Sequence, residues 1–135
     1  MAKTFPVWML VALIFIIAVG NAIADYWHLY FYLRWLDIPM HIMGGLWVSL
    51  FALVGYYTFF AGKPKDRSSF FVIAFAIAAG LTIGLGWEIF EFEVDKHIAA
   101  SGIDLGDTLK DLVDDFIGAC IGAAIFLKRG YNVLI

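Results

Sequence analysis

"GLTIGLGWEIFE", residues 80–91, decides how the rest of the chain is read. At the 3.6-residue period of a helix, Gly80, Gly84, Glu88 and Glu91 fall on one stripe, two glycines followed by two carboxylates. The surrounding run, residues 70–92, is apolar and has the roughly 20 residues that a bilayer-crossing helix requires. Its acids therefore lie at the negative pole of the helix, where each is unfavourable by about 0.3–1 kcal/mol unless something positive faces it. A positive partner is expected across the stripe.

Composition sets the wider frame. Of the 135 residues, 63% are hydrophobic and only 16% charged, with a mean hydropathy of +0.88. A soluble domain carries roughly 25% charged residues, so the sequence describes an integral membrane protein. Further apolar stretches at 7–24, 38–60 and 111–127, the last preceded by a polar turn, complete the pattern. They predict an all-α, four-transmembrane-helix bundle forming a single domain over 1–135, with helices at about 7–24, 38–60, 70–92 and 108–127. The first stretch also suits a signal peptide, with Lys3, an apolar core and the triplet Ala22-Ile23-Ala24; we expect it to be retained as a helix. The net charge of −3 gives no case for nucleic acid, and Cys120 as the single cysteine excludes an intrachain disulfide.

Orientation follows from the basic residues. Lys3, Lys63, Lys65, Arg67, Lys128 and Arg129 fall on one side of the predicted bundle. Arg34, Lys96 and Lys110 share the other side with every acid except Asp66. The first side is expected to be cytoplasmic, which places both termini inside a prokaryotic inner membrane. Between the first two helices, "DYWHLYFYLRWL" (25–36) is dense in Tyr and Trp, which favour the headgroup level. A short interfacial aromatic helix is expected there, either as a simple anchor or as a lateral gate for a lipid headgroup.

The glycine-acid stripe recurs on two other helices. Asp37, His41, Gly44, Gly45 and Val48 share a face of the second, and Asp107, Asp111, Asp114, Gly118 and Gly122 a face of the fourth. The spacings "GLTIG" (80–84) and "GACIG" (118–122) let backbones approach closely in a bilayer, and make a homo-oligomer through the same stripes conceivable. The expected result is a funnel: three helices touch at their cytoplasmic halves around a carboxylate-lined pocket open to the outside. Ordinary roles compete for some members. Asp37 before Ile38-Pro39 suits a helix N-cap, and Asp107 before Thr108 suits another. Asp25, Glu93, Asp95, Lys96, His97, Asp104 and Asp115 read as wet loop residues. His41, Glu88, Glu91, Asp111 and Asp114 lie inside apolar segments, where ionisable groups are costly and by default functional. Carboxylates with one imidazole suit Mg²⁺, Mn²⁺ or Zn²⁺; a proton-sharing or salt-bridged cluster is the alternative.

At these residues the chain resembles a known group. "DIPMHIMGG", "WEIFEF" and "GDTLKDLVDDFIGACIG" look like the D-x-x-x-H, E-x-x-E and D-T-x-x-D…G-A blocks of the YjdF-like family of small membrane proteins, and more distantly like VanZ-like proteins. The resemblance spans roughly residues 37–122 and carries over to Asp37, His41, Glu88, Glu91, Asp107 and Asp111; Asp114 sits where related sequences vary. VanZ-like proteins are associated with low-level teicoplanin resistance, which implies the cell envelope, but this chain lacks their Glu-Gln pair and Arg near the second and third blocks. The YjdF-like group implies no established activity.

Three functions fit this reading. One is a metal enzyme acting on a phosphate- or pyrophosphate-bearing lipid, with His41 and Glu88 as catalytic residues, Arg34 and Lys110 steadying the headgroup, and the divalent metal held among Asp37, His41, Glu88, Glu91, Asp107, Asp111 and Asp114. The second is a non-enzymatic cation binder, sensor or transport element. The third is a scaffold subunit whose carboxylates lock the bundle.

Overall fold

The computed structural model describes residues 4–60, 68–98 and 104–131, of which 90% are helical, with no strand among them. Lys3 and the basic residues 63, 65 and 67 with Asp66 lie outside the described residues. Helix α1 (Val7–Tyr26) starts after Pro6. It ends where His28 adopts a left-handed φ of 52°. The aromatic stretch then forms a four-residue helix α2 (Leu29–Tyr32) and a 3-10 turn at Arg34–Leu36, which winds directly into α3 (Asp37–Phe59). Helix α4 (Ser69–Ile98) continues past the expected boundary at Phe92. Glu93, Asp95, Lys96 and His97 are accordingly exposed, as expected, but on a helix. Helix α5 (Leu105–Arg129) begins at Asp104, whose Oδ1 accepts from the backbone N–H groups of Gly106 (3.0 Å) and Asp107 (3.2 Å). It stops at Gly130, where φ is +58° and the missing side chain removes the strain of a left-handed residue.

Among the described residues, three helices are long and apolar enough to cross a membrane: Val7–Tyr26, Arg34–Phe59 and Ser69–His97. The first half of α5 is charged by Asp107, Lys110, Asp111, Asp114 and Asp115, which sets it apart from them. Helices α3, α4 and α5 pack on one another, and α1 lies outside this trio against α3. A bond from Trp47 Nε1 to the Leu10 carbonyl, 2.8 Å long, fixes that peripheral contact.

The α3/α5 approach depends on glycine. A Cβ added at Gly118 would overlap the Ile42 carbonyl and come within 2.7 Å of the Leu46 nitrogen, and one at Gly45 would overlap the Asp115 carbonyl. On the α4 side, a Cβ at Gly80 would sit 2.8 Å from that of Ala119. Toward the end of the bundle that holds both described chain ends, the trio encloses an apolar core of Leu50, Leu53, Val54, Tyr57, Val72, Ala76, Ala123 and Phe126. Phe5 and Tyr131 close this end, both buried and with ring centroids 4.9 Å apart. The first turns of α3 and α5 and the later turns of α4 meet at the opposite end. There the core turns polar.

Candidate metal centre

His41 is the hub of the polar end. It lies one helical turn into α3, 8% exposed, with carboxylates facing both ring nitrogens. Nε2 is 3.4 Å from Asp37 Oδ1, 3.9 Å from Glu88 Oε1 and 3.9 Å from Asp111 Oδ2. Nδ1 is 3.4 Å from Asp115 Oδ1. Three helices thus supply acids to one imidazole. This arrangement follows from the stripes: an i, i+4 spacing brings Asp37 over His41, while the glycines one to two turns further along let α4 and α5 approach closely enough to deliver the rest.

Lys110 is the second cation. Its Nζ is 3.0 Å from Asp37 Oδ2, hydrogen-bonded to Asp111 Oδ1, and 3.6 Å from Asp114 Oδ2. Asp37 and Asp111 each offer one oxygen to His41 and the other to Lys110. Six acids, Asp37, Glu88, Glu91, Asp111, Asp114 and Asp115, therefore surround two basic groups. If all are ionised, the cluster keeps a large negative excess, which a low-dielectric interior does not tolerate without protons or a further cation.

Among the described residues, two triads could hold such an ion, Asp37–His41–Asp111 and His41–Glu88–Glu91, each with donor atoms within 4.8 Å of one another. Glu88 carries the clearest vacancy in hydrogen bonding. Its side chain is only 8% exposed, and its buried Oε1, aimed at His41, has no hydrogen-bond partner. Asp115 Oδ2 is likewise buried and unpaired.

The predicted site residues thus divide. Asp37, His41, Glu88, Glu91, Asp111 and Asp114 come together. Asp107 is exposed in the first turn of α5, where its N–H bonds to Asp104, and Arg34 is exposed in the 3-10 turn. Asp37 makes no side-chain cap: its backbone is already helical (φ −61°, ψ −40°), so its carboxylate is free to turn inward. Asp104, expected in a loop, caps α5 in place of Asp107.

Asp115 is the residue that sequence reading missed. It is 4% exposed and wedged where α5 meets Gly45 of α3 and Gly84 of α4, since a Cβ on either glycine would collide with it. Its signal was present as an i, i+4 spacing from Asp111 and an i, i+3 spacing to Gly118. Beside the cluster, Tyr30 Oη donates to Asn21 Oδ1 (2.6 Å), and Asn21 Nδ2 donates to Asp25 Oδ2 (3.2 Å), folding the aromatic segment back onto α1. Burial, reinforced by the charges of Asp25, Asp37 and Glu91, pushes the Tyr30 phenol up to about 12, so it remains a donor at neutral pH.

Residues 1–131 match a family model described as "Predicted membrane protein (DUF2238)". No curated protein and no solved structure matches the chain.

Proposed function

Because the chain belongs to the DUF2238 family of predicted membrane proteins, which is the YjdF family, we propose that it is a four-span membrane protein whose outer end holds a divalent cation. The observation that carries the metal reading is Glu88 Oε1, buried, without a partner and 3.9 Å from His41 Nε2 in an acid-rich cluster. Asp115 supports it from the other side of the ring. An Nδ1–H held by the Asp115 carboxylate leaves the Nε2 lone pair facing Glu88, Asp37 and Asp111, the usual way an outer carboxylate prepares a histidine ligand.

The fourth crossing is supported by parity. Phe5 and Tyr131 touch, so the described chain ends share one end of the bundle, and three crossings by α1, α3 and α4 require a return by α5. At about 1.5 Å per residue, its 25 residues are long enough. Asp111, Asp114 and Asp115 are buried against the other helices, so its charge need not face lipid. The excess of basic residues that the sequence leads us to expect on the side of the termini supports a cytoplasmic position for that end and an outer one for the metal. Exposed Tyr26, Trp27, Phe31, Tyr32 and Trp35 suit a headgroup-level anchor beside the site.

Cation binding without chemistry is favoured over lipid-phosphate hydrolysis. Lys110, which would steady a headgroup, is already engaged by Asp37, Asp111 and Asp114, so the cluster offers acids and little free positive charge. The test is the metal content of the detergent-purified protein. We expect bound Mn²⁺, Zn²⁺ or Mg²⁺ in the native chain, markedly less in Glu88→Gln, and a melting temperature that falls with chelator only in the former. A native protein that purifies metal-free and melts identically with chelator or with any of the three ions would leave a proton-sharing cluster as the reading.

A further inference from the structure

This inference rests on the cluster being a metal centre and concerns which of its two triads the ion uses. Both triads include His41, and its Nε2 is the ring nitrogen that faces Asp37 and Asp111 of the one and Glu88 of the other; with a single lone pair it can ligate one ion at a time. The two sides differ in their neighbours. Lys110 Nζ is hydrogen-bonded to both carboxylates of the first triad, 3.0 Å from Asp37 Oδ2 and in direct contact with Asp111 Oδ1. A divalent ion at ordinary carboxylate distances of about 2.0–2.6 Å from the same two groups would sit next to an ammonium, and their repulsion would be poorly screened at this depth. No contact joins Lys110 to Glu88 or Glu91 among the described ion pairs. Glu88 also presents the buried, unpartnered oxygen, on a side chain more than nine-tenths covered.

We infer that Lys110 is a tethered internal cation that closes the Asp37–His41–Asp111 triad and directs the divalent ion to His41, Glu88 and Glu91. Its ammonium hydrogen-bonds both carboxylates of that triad, whereas Glu88 on α4 keeps a buried oxygen without a hydrogen-bond partner. Lys110 is on this account a positioning residue. It sets the metal's place without binding the metal.

The test is Mn²⁺ titration calorimetry on the full-length chain in detergent. In the native background, Glu91→Gln should weaken binding by at least the roughly tenfold that even outer partners of a metal ligand carry, while Asp37→Asn should change it by less than about threefold. In the Lys110→Met background the order should reverse, because the first triad is then open, whereas Lys110→Arg should keep the native order. A native protein as sensitive to Asp37→Asn as to Glu91→Gln, or an order that Lys110→Met leaves unchanged, overturns the assignment while leaving the metal centre standing. Native protein that takes up no Mn²⁺ or Zn²⁺ at all overturns the metal centre itself, and this assignment with it. Should Lys110→Met not fold, the two substitutions in the native background still decide.

Discussion

The two ends of the α3–α4–α5 trio use the same helices to opposite purposes. Around Leu53, Val72 and Phe126, each 0% exposed, contact is apolar and self-sufficient, with Phe126 stacked on Tyr57 at 5.6 Å. Around His41, the equivalent positions hold groups whose mutual fit is incomplete, with buried oxygens on Glu88 and Asp115 that have no hydrogen-bond partner. In a bilayer, apolar surface gains little by leaving lipid, so the first end is held by dispersion and close fit. The second is held by charge and is short of positive charge. One end should stabilise the bundle whatever the solution contains; on the proposed metal reading, the other should respond to what the solution supplies.

The sharpest way to break that contrast lies at the seam between the ends. Gly118→Leu places an isobutyl group against the Ile42 carbonyl and Leu46 nitrogen, backbone atoms that cannot rotate away. We expect loss of the folded bundle, or destabilisation at or above the upper part of the usual overpacking range of about 1–3 kcal/mol, read by thermal melting in detergent. Survival at native stability would mean that the helices are further apart than described.

Next in size, Phe126→Ala should cost about 3 kcal/mol, within the range for emptying a buried aromatic site. That cost should be the same with and without chelator, in contrast to Glu88→Gln, whose effect should appear only when metal is available. Chelator-dependent damage from Phe126→Ala would join the two ends into one unit.

The smallest expected effect comes from a pair two residues apart. A Cβ at Gly84 would meet the Asp115 carboxylate, whereas Gly86 has nothing within 4 Å. Gly84→Ala should therefore destabilise by about 1–2 kcal/mol and weaken metal binding by displacing Asp115. Gly86→Ala should stabilise by about 0.5–1 kcal/mol through helix propensity alone. Equal melting temperatures for the two would remove the wedge.

How much of this was legible depended on geometry that a sequence encodes unevenly. The stripes on α3 and α4 were readable because each glycine and acid recurs at three- or four-residue steps on a narrow face. Helix α5 was only half readable. It packs against both α3 and α4 and buries Asp111, Asp114, Asp115, Gly118, Ala119, Gly122, Ala123 and Phe126, a face about two stripes wide. Reading it as one stripe kept Asp114 and discarded Asp115, although adjacent residues can both point inward when a helix has two neighbours. Asp37 and Asp104 show a second limit. Whether an acid caps a helix or turns inward depends on where the preceding chain becomes helical, and the 3-10 turn at Arg34–Leu36 settles this for Asp37 through backbone angles that residue types alone do not fix.

The burial of three aspartates on the last helix also has a consequence for how the protein is made. An acid near the centre of an isolated helix costs about 2.5–3.5 kcal/mol on insertion, and the partners that relieve this cost, His41 above all, lie on an element synthesised some seventy residues earlier. As the proposed fourth crossing, α5 cannot partition into lipid on its own merits. During biogenesis it must be retained at the insertion machinery, or at the bilayer surface, until α3 and α4 are in place to receive it. Assembly is then ordered by the charge pattern, and a chain whose His41 is replaced by leucine should leave α5 stranded outside the bilayer.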